Sequence, residues 1–240
     1  VKPAASVSPC HIAARGLGLK RGDRWLFRGL DLDIPRGAFV AVVGPSGVGK
    51  SSFLACLAGL LEPTEGSVAL HGRDGRACAP GATCGATGVV FQNNLLVPTR
   101  SLLANVLCGR LGRHPWWRTL LGFPRADREQ AYRILCDLGL GEKALRWACE
   151  TSGGEQQRTA IARALLQEPE LYLADEPVSN LDSYLTGRVL GILRQEATQR
   201  GRTVFCVLHN AELVERFAEY VLSFDPSGDG AWKLRQNPHA

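Results

Sequence analysis

Gly44-Pro45-Ser46-Gly47-Val48-Gly49-Lys50-Ser51 fits the pattern G-x-x-x-x-G-K-[ST], and the rest of the chain is read outward from it. Just upstream, Phe39-Val40-Ala41-Val42-Val43 is a short apolar run that predicts a buried strand. Just downstream, Ser51 to Leu61 is rich in Ala and Leu and predicts a helix. Strand, glycine loop and helix is the setting in which this pattern cradles phosphate. Gly44, Gly47 and Gly49 let the backbone turn sharply and come close to a ligand, because no Cβ intrudes. The N–H groups of the loop and of the first helical turn then face an anion that the helix dipole favours. Lys50 is a cation placed for the β- and γ-phosphates. The Ser51 hydroxyl can ligate Mg²⁺, and Ser52 adds a second hydroxyl nearby.

The 240 residues suffice for one large domain or two small ones. A hydrophobic fraction of 45% and a charged fraction of 21% are those of an ordinary globular chain. The longest strongly apolar run, Phe53 to Leu61, is too short to span a bilayer, and Val1 to Cys10 shows no apolar block of the signal-peptide kind. The eight cysteines are scattered singly, with no C-x-x-C, so metal or disulfide use is not expected and a reducing compartment is. Twenty-eight Lys and Arg against 23 Asp and Glu leave a net charge of +5. That permits a membrane surface or nucleic acid as partner without requiring either.

Strands alternate with helices around a helical block at roughly 93–167, which predicts an α/β core with an insertion. Val1 to Arg15 reads as a frayed start, Leu17 to Ile34 as antiparallel strands, and His71 to Gly88 as a loop. Gly88 to Gln92 is a second buried strand. Leu102 to Leu111, Ala126 to Leu138 and Gly154 to Leu166 are helices, joined in part by a basic, aromatic connector from Arg110 to Arg118. Further on come a strand at Leu171 to Ala174, a helix at Ser183 to Arg200, a strand at Thr203 to Leu208, a helix at Glu212 to Glu219 and two closing strands.

Two more stretches carry chemistry. Asp175 follows four apolar residues at the carboxyl end of a predicted strand, where ligands of open parallel sheets gather, and can hold Mg²⁺. Glu176 beside it can orient or deprotonate a water aimed at a γ-phosphate. In Thr151-Ser152-Gly153-Gly154-Glu155, Ser152 and Glu155 form a capping box that opens a helix. The paired glycines cost helix propensity and leave the first amides bare, which makes a second anion-seeking helix start.

The phosphate loop, Gln92, Ser152-Gly153-Gly154-Glu155, Leu173-Ala174-Asp175-Glu176-Pro177, Ser179-Asn180-Leu181-Asp182 and His209 occur in the order of an ABC transporter ATPase, and the resemblance covers essentially the whole chain. It implies a phosphate-loop (RecA-like) α/β core with an antiparallel β subdomain and an inserted helical subdomain. The parts would be 1–92 (β subdomain and phosphate-loop part of the core), 93–167 (helical subdomain) and 168–240 (remainder of the core). It implies a head-to-tail homodimer in the ATP state, each ATP lying between Lys50 and Ser51 of one copy and Ser152 to Gly154 of the other. Gln92 would contact Mg²⁺ and the attacking water, Asp175 would serve the metal, Glu176 would be the base, Asp182 would lie at the dimer seam, and His209 would touch the γ-phosphate.

Two positions depart from the family pattern. Arg21, with Trp25 nearby, stands where an aromatic usually stacks on adenine, and Thr151 replaces a leucine at the head of the signature. Asn105 to Arg113, Pro115, Trp116-Trp117-Arg118 and Leu120-Leu121-Gly122 resemble the ATPases of phosphonate importers, as do Leu208-His209 and Arg216-Phe217-Ala218. That likeness implies transmembrane permease subunits and, indirectly, a periplasmic or lipoprotein binding protein as partners. It places the chain peripherally on the cytoplasmic face of a bacterial inner membrane, with no nucleic acid. Trp116 and Trp117 would either pack in the core or dock a permease helix, with Arg110, Arg113 and Arg118 at the rim. Relatives acting on DNA or ribosomes carry tandem ATPase units or long coiled-coil insertions, and this chain has neither. Degenerate regulatory relatives lose the glutamate or the histidine, and both are present here.

Overall fold

The computed structural model describes residues 10–72, 77–78, 87–120, 122–225 and 230–238. The chain divides into two compact units, Val1–Thr83 with Gln195–Ala240, and Cys84–Arg194.

In the first unit, β1 (Cys10–Arg21) and β2 (Arg24–Pro35) form a long antiparallel hairpin. β4 (Glu65–His71) pairs with the other edge of β1, and the two-residue β5 (Ala77–Cys78) pairs with β4. Period-2 alternation drives Leu30, Leu32 and Ile34 inward and leaves Asp31 and Asp33 outside, and a register shift before Leu30 brings Phe27 inward as well. The strand opens at Cys10, so 10–15 is not frayed. Ile12 and Ala14 are fully buried against Ile34, Leu32, Leu70 and Val68, partners that only pairing over long sequence distances supplies. Residues 1–9 of the expected frayed start lie outside the described residues, as do 73–76 and 79–86 of the expected loop.

A second sheet of this unit has β3 (Phe39–Val43) between β8 (Thr203–Val207) and β9 (Tyr220–Phe224), parallel to both, with β10 (Trp232–Gln236) antiparallel on β9. The helix α1 (Lys50–Leu57) follows β3 and sends Phe53 among Phe27, Phe205 and Phe224, at ring separations of 5.8, 6.0 and 5.5 Å. This cluster anchors the helix that starts at the glycine loop. α1 stops short of the expected Leu61 because Gly59 takes a left-handed φ of 70° and the Leu60 N–H turns back to the Ala55 carbonyl. α7 (Ala211–Phe217), capped by the Asn210 side chain, leads into β9.

The second unit holds the parallel pair β6 (Thr87–Val90) and β7 (Leu171–Ala174) and the inserted helices. α2 (Leu102–Leu107) tightens into 3₁₀ turns over Cys108–Arg113, where one continuous helix to Leu111 was expected. Gly109 sits hard against the Arg163 carbonyl, leaving no room for a Cβ, and two glycines in six residues weaken the α-helix there. α3 (Trp116–Leu120), α4 (Arg125–Asp137) and α5 (Gly153–Gln167) follow. α6 (Ser183–Thr198) carries the chain back into the first unit.

Trp116 and Trp117 are 76% and 57% exposed, which overturns their reading as core residues. Arg110 is corrected the other way. It is not at a rim, because its side chain is 4% exposed and enclosed by Gln130 (2.7 Å), Glu168 (3.3 Å) and Asp127 (3.5 Å). Arg113 is half-exposed but tied to Glu168 at 2.9 Å and to the Gln167 carbonyl. Leu121 and the Arg118 side chain lie outside the described residues.

Burial alone would raise the pKa of Glu168, but hydrogen bonds from Gln130 and Arg110 and the charges of Arg110 and Arg113 more than reverse it, to about 2. A depressed carboxylate pKa stabilises the fold above its ordinary value near 4.5, and that stabilisation is lost as pH falls toward 2. Glu168 should therefore contribute to the acid-induced loss of stability, by less than the roughly 3 kcal/mol of the full shift because solvent screens part of it. Urea unfolding across that pH range checks this. Glu168→Gln should flatten the acid slope, and an unchanged slope would contradict the assignment.

Candidate functional site

The glycine loop leaves the carboxyl end of β3 with Gly44 at φ 145°, Gly47 at φ 77° and Gly49 at φ 115°. Two of these positions exclude a side chain outright. A Cβ on Gly44 would lie 2.9 Å from the Phe224 carbonyl oxygen, and one on Gly49 would lie 2.9 Å from the Leu26 Cβ. Gly49 is the N-cap of α1 and has no side chain to offer, so the first amides of the helix stay open to an outside acceptor. Pro45, Ser46 and Gly47 are exposed at the tip, as is Ser51, while Val48 is buried beneath the loop and Ser52 is half-buried. Lys50 is 6% exposed, and its ammonium donates to the Gly44 (2.8 Å) and Pro45 (2.9 Å) carbonyls, which holds the charge over the loop.

Strand register decides what else stands at this edge. Val42 pairs with Val207. Gly44 and His209 each follow two residues later, so the loop and the histidine emerge at the same level from neighbouring parallel strands. The second unit repeats the arrangement. Val90 pairs with Ala174, and Gln92 and Glu176 each follow two residues later. The Asp175 N–H continues the ladder to the Val90 carbonyl at 2.9 Å. Gln92 is exposed, Asp175 and Glu176 are half-buried, and Glu176 takes a left-handed φ of 50°.

The capped helix start expected at Ser152 is also present. Ser152 is the N-cap of α5, its Oγ accepting from the Glu155 N–H while a Glu155 carboxylate oxygen accepts from the Ser152 N–H at 2.9 Å. The other Glu155 oxygen pairs with Lys143, and that contact leads the causes that hold the carboxyl below its usual range. Glu155 is thus spent on the cap, with Lys143 offsetting its negative charge at the start of α5. Thr151, the odd residue of the motif, donates its hydroxyl to the Ala148 carbonyl at 2.7 Å.

The two glycines prove unlike. A Cβ on Gly153 would meet nothing within 4 Å, so its absence only clears the surface. One on Gly154 would lie 3.0 Å from the Asn180 carbonyl oxygen, an internal approach that sequence reading missed. Asp182, expected at a dimer seam, is exposed and accepts the Leu185 N–H at 2.8 Å at the start of α6. Arg21 and Trp25 fall on opposite faces of the hairpin, since Arg21 pairs with Arg24 and Lys20 with Trp25. The Trp25 ring is covered by Arg28 at 4.5 Å.

Among the described residues no cluster of three or more His, Cys, Asp or Glu could hold a metal alone. Ser51 in the first unit carries a hydroxyl, and Gln92 and Asp175 in the second carry an amide oxygen and a carboxylate. Such hard, sparse donors suit Mg²⁺, which takes most of its ligands from water and phosphates. A lysine-bearing glycine loop, with Asp and Glu at the end of a parallel strand, defines a phosphate-loop ATPase.

Comparison with known proteins narrows the class. Residues 27–179 match the ABC transporter family. The chain is 40% identical over 203 residues to a phosphonates import ATP-binding protein (PhnC) of Trichormus variabilis, covering 85% of this chain and 83% of that one. It is 44% identical over 193 residues to a phosphite import ATP-binding protein (PxtA) of Stutzerimonas stutzeri, covering 80% and 70%. A hypophosphite import ATP-binding protein (HtxD) of the same species is 38% identical over 212 residues, covering 87% and 62%. Among solved structures, the dimeric cassette MJ0796 matches with a TM-score of 0.80 at 28% identity, over 94% of this chain and 98% of that one. Its post-hydrolysis dimer with ADP and Pi matches at 0.77 and 27%, with the same coverage. This chain belongs to the ABC transporter ATP-binding family, and it is an ATPase of the importer branch.

Proposed function

We propose that the chain hydrolyses ATP to drive uptake of phosphonate or a related phosphorus oxyanion, phosphite and hypophosphite included. The likeness to the three import proteins supports the substrate class, since the ATPase itself has no part in recognising the imported compound. The observation that carries the ATPase reading is the open start of α5. It is capped by Ser152 and Glu155 and clear around Gly153, and it is an anion site separate in sequence from the phosphate loop. A head-to-tail homodimer gives it a use, and the relative MJ0796 is dimeric.

Each ATP is then held by residues 44–52 of one copy and by Ser152 to Glu155 of the other, with Asp182 at the seam. Glu176 takes a proton from the water that attacks the γ-phosphate in line, and Gln92 orients that water. Lys50 and the loop amides stabilise the charge that spreads over the phosphate oxygens, and His209 contributes at the γ-phosphate. Mg²⁺, held through Ser51, Gln92 and Asp175, would neutralise β- and γ-phosphate charge when bound. With little covalent chemistry to perform, catalysis is positioning and electrostatics.

In this reading transmembrane permease subunits carry the solute; no described helix of this chain is long and apolar enough to cross a membrane. The exposed Trp116 and Trp117, beside Arg113, offer those subunits a surface. A binding protein outside the membrane would deliver the solute, and the ATPase would sit peripherally on the cytoplasmic face. Deleting the gene should abolish cellular uptake of at least one of a labelled phosphonate, phosphite or hypophosphite, and the intact gene should restore it. Unchanged uptake of all three would overturn the substrate class.

A further inference from the structure

Four non-glycine residues with left-handed backbone are found among the described residues: Asn94 (φ 55°), Leu95 (φ 46°), Glu168 (φ 52°) and Glu176 (φ 50°). One helix holds all of them. Glu168 is the C-cap of α5. Arg163, on the same helix, donates to the carbonyls of Asn94 (2.8 Å) and Leu95 (2.7 Å), two and three residues beyond Gln92. Gln157 Nε2 donates to the carbonyl of Glu176 at 2.8 Å. Such backbone persists only where its surroundings over-determine it.

Gln157 is 2% exposed, and its Oε1 finds no donor among the described residues. A leucine of similar volume would fill the space without orphaning an acceptor, so packing does not explain an amide here. Its orientation is set, because a carbonyl can only accept and the NH₂ must face Glu176. Ser179 also donates to that carbonyl, through its N–H (3.3 Å) and its Oγ (3.2 Å), but from within the turn itself. Gln157 ties the turn to α5, roughly 6 Å along the axis from Gly153.

We infer that Gln157 is a positioning residue for hydrolysis: it fixes the Glu176 peptide to the helix whose start receives the nucleotide of the opposing copy, and so sets the aim of the Glu176 carboxylate. This rests on Glu176 being the base. The bond goes to the backbone, so it survives changes at the Glu176 side chain and can be tested apart from them.

The test is steady-state ATPase activity of the full chain with Gln157→Leu, Gln157→Glu and Glu176→Gln side by side. Gln157→Leu should lower kcat by about tenfold or more, with KM for ATP within about threefold and no drop in the thermal midpoint. In Gln157→Glu the carboxylate cannot donate but the protonated acid can, and burial raises its pKa. Its activity relative to the parent should therefore climb as pH falls from roughly 8 to 6. A Gln157→Leu chain with kcat within about twofold of the parent, beside an inactive Glu176→Gln, would overturn the inference and leave the base in place. An active Glu176→Gln would remove the base and the inference with it. Should Gln157→Leu fail to fold, the Gln157→Glu ratio decides, and a ratio independent of pH overturns the proposal.

Discussion

Glu176→Gln should bind ATP and hardly hydrolyse it, with kcat lowered by about 10²- to 10⁴-fold, the usual contribution of a positioned general base. The substitution changes one oxygen to an amide nitrogen and keeps side-chain length. It removes the proton acceptor and little else. The backbone should stay in place, because its left-handed turn is held through the Glu176 carbonyl by Gln157 and Ser179. The phosphate loop and the start of α5 are untouched, so ATP and Mg²⁺ should still assemble the dimer and, without turnover, trap it. Two measurements check this: phosphate release, and elution volume with ATP-Mg²⁺. Turnover near the parent's would remove Glu176 from the chemistry. A monomer under trapping conditions would count heavily against the head-to-tail arrangement.

Lys50→Ala should weaken ATP binding by about 10- to 100-fold, the equivalent of losing a charge-assisted hydrogen bond of roughly 1.5–3 kcal/mol. Lys50 is the only cation of the loop sequence, and it is held where it matters, buried and bonded to the Gly44 and Pro45 carbonyls. In those bonds the ammonium already lies across the loop, so little side-chain entropy remains to be lost when phosphate arrives. The fold should tolerate the change, because Phe53 and its aromatic neighbours, not Lys50, anchor α1. Equilibrium titration with ATP measures the effect, and unchanged affinity would dismiss the phosphate-loop assignment.

Where sequence reading failed, the missing information was a contact with a distant residue. Arg110 reads as a surface cation in a basic connector, yet Gln130 and Glu168, 20 and 58 residues away, enclose it. Trp116 and Trp117 could be core or surface from composition alone, and their exposure settles the choice. Residues 10–15 look polar and irregular, but two flanking strands make them a central strand of a sheet. The paired signature glycines look equivalent, and only the Asn180 carbonyl distinguishes Gly154 from Gly153.

The sequence by itself determined the glycine loop, the capped start of α5, the carboxylates Asp175 and Glu176 at the end of an apolar strand, and the family. Each is a chemistry written by adjacent residues: φ freedom, helix amides and the end of an apolar strand. Tertiary structure alone decided that His209 stands level with Gly44, that Gln92 stands level with Glu176, and that one buried amide on α5 grips the Glu176 peptide. Those facts depend on strand register and helix packing between segments far apart in the chain, which no local run of residues encodes.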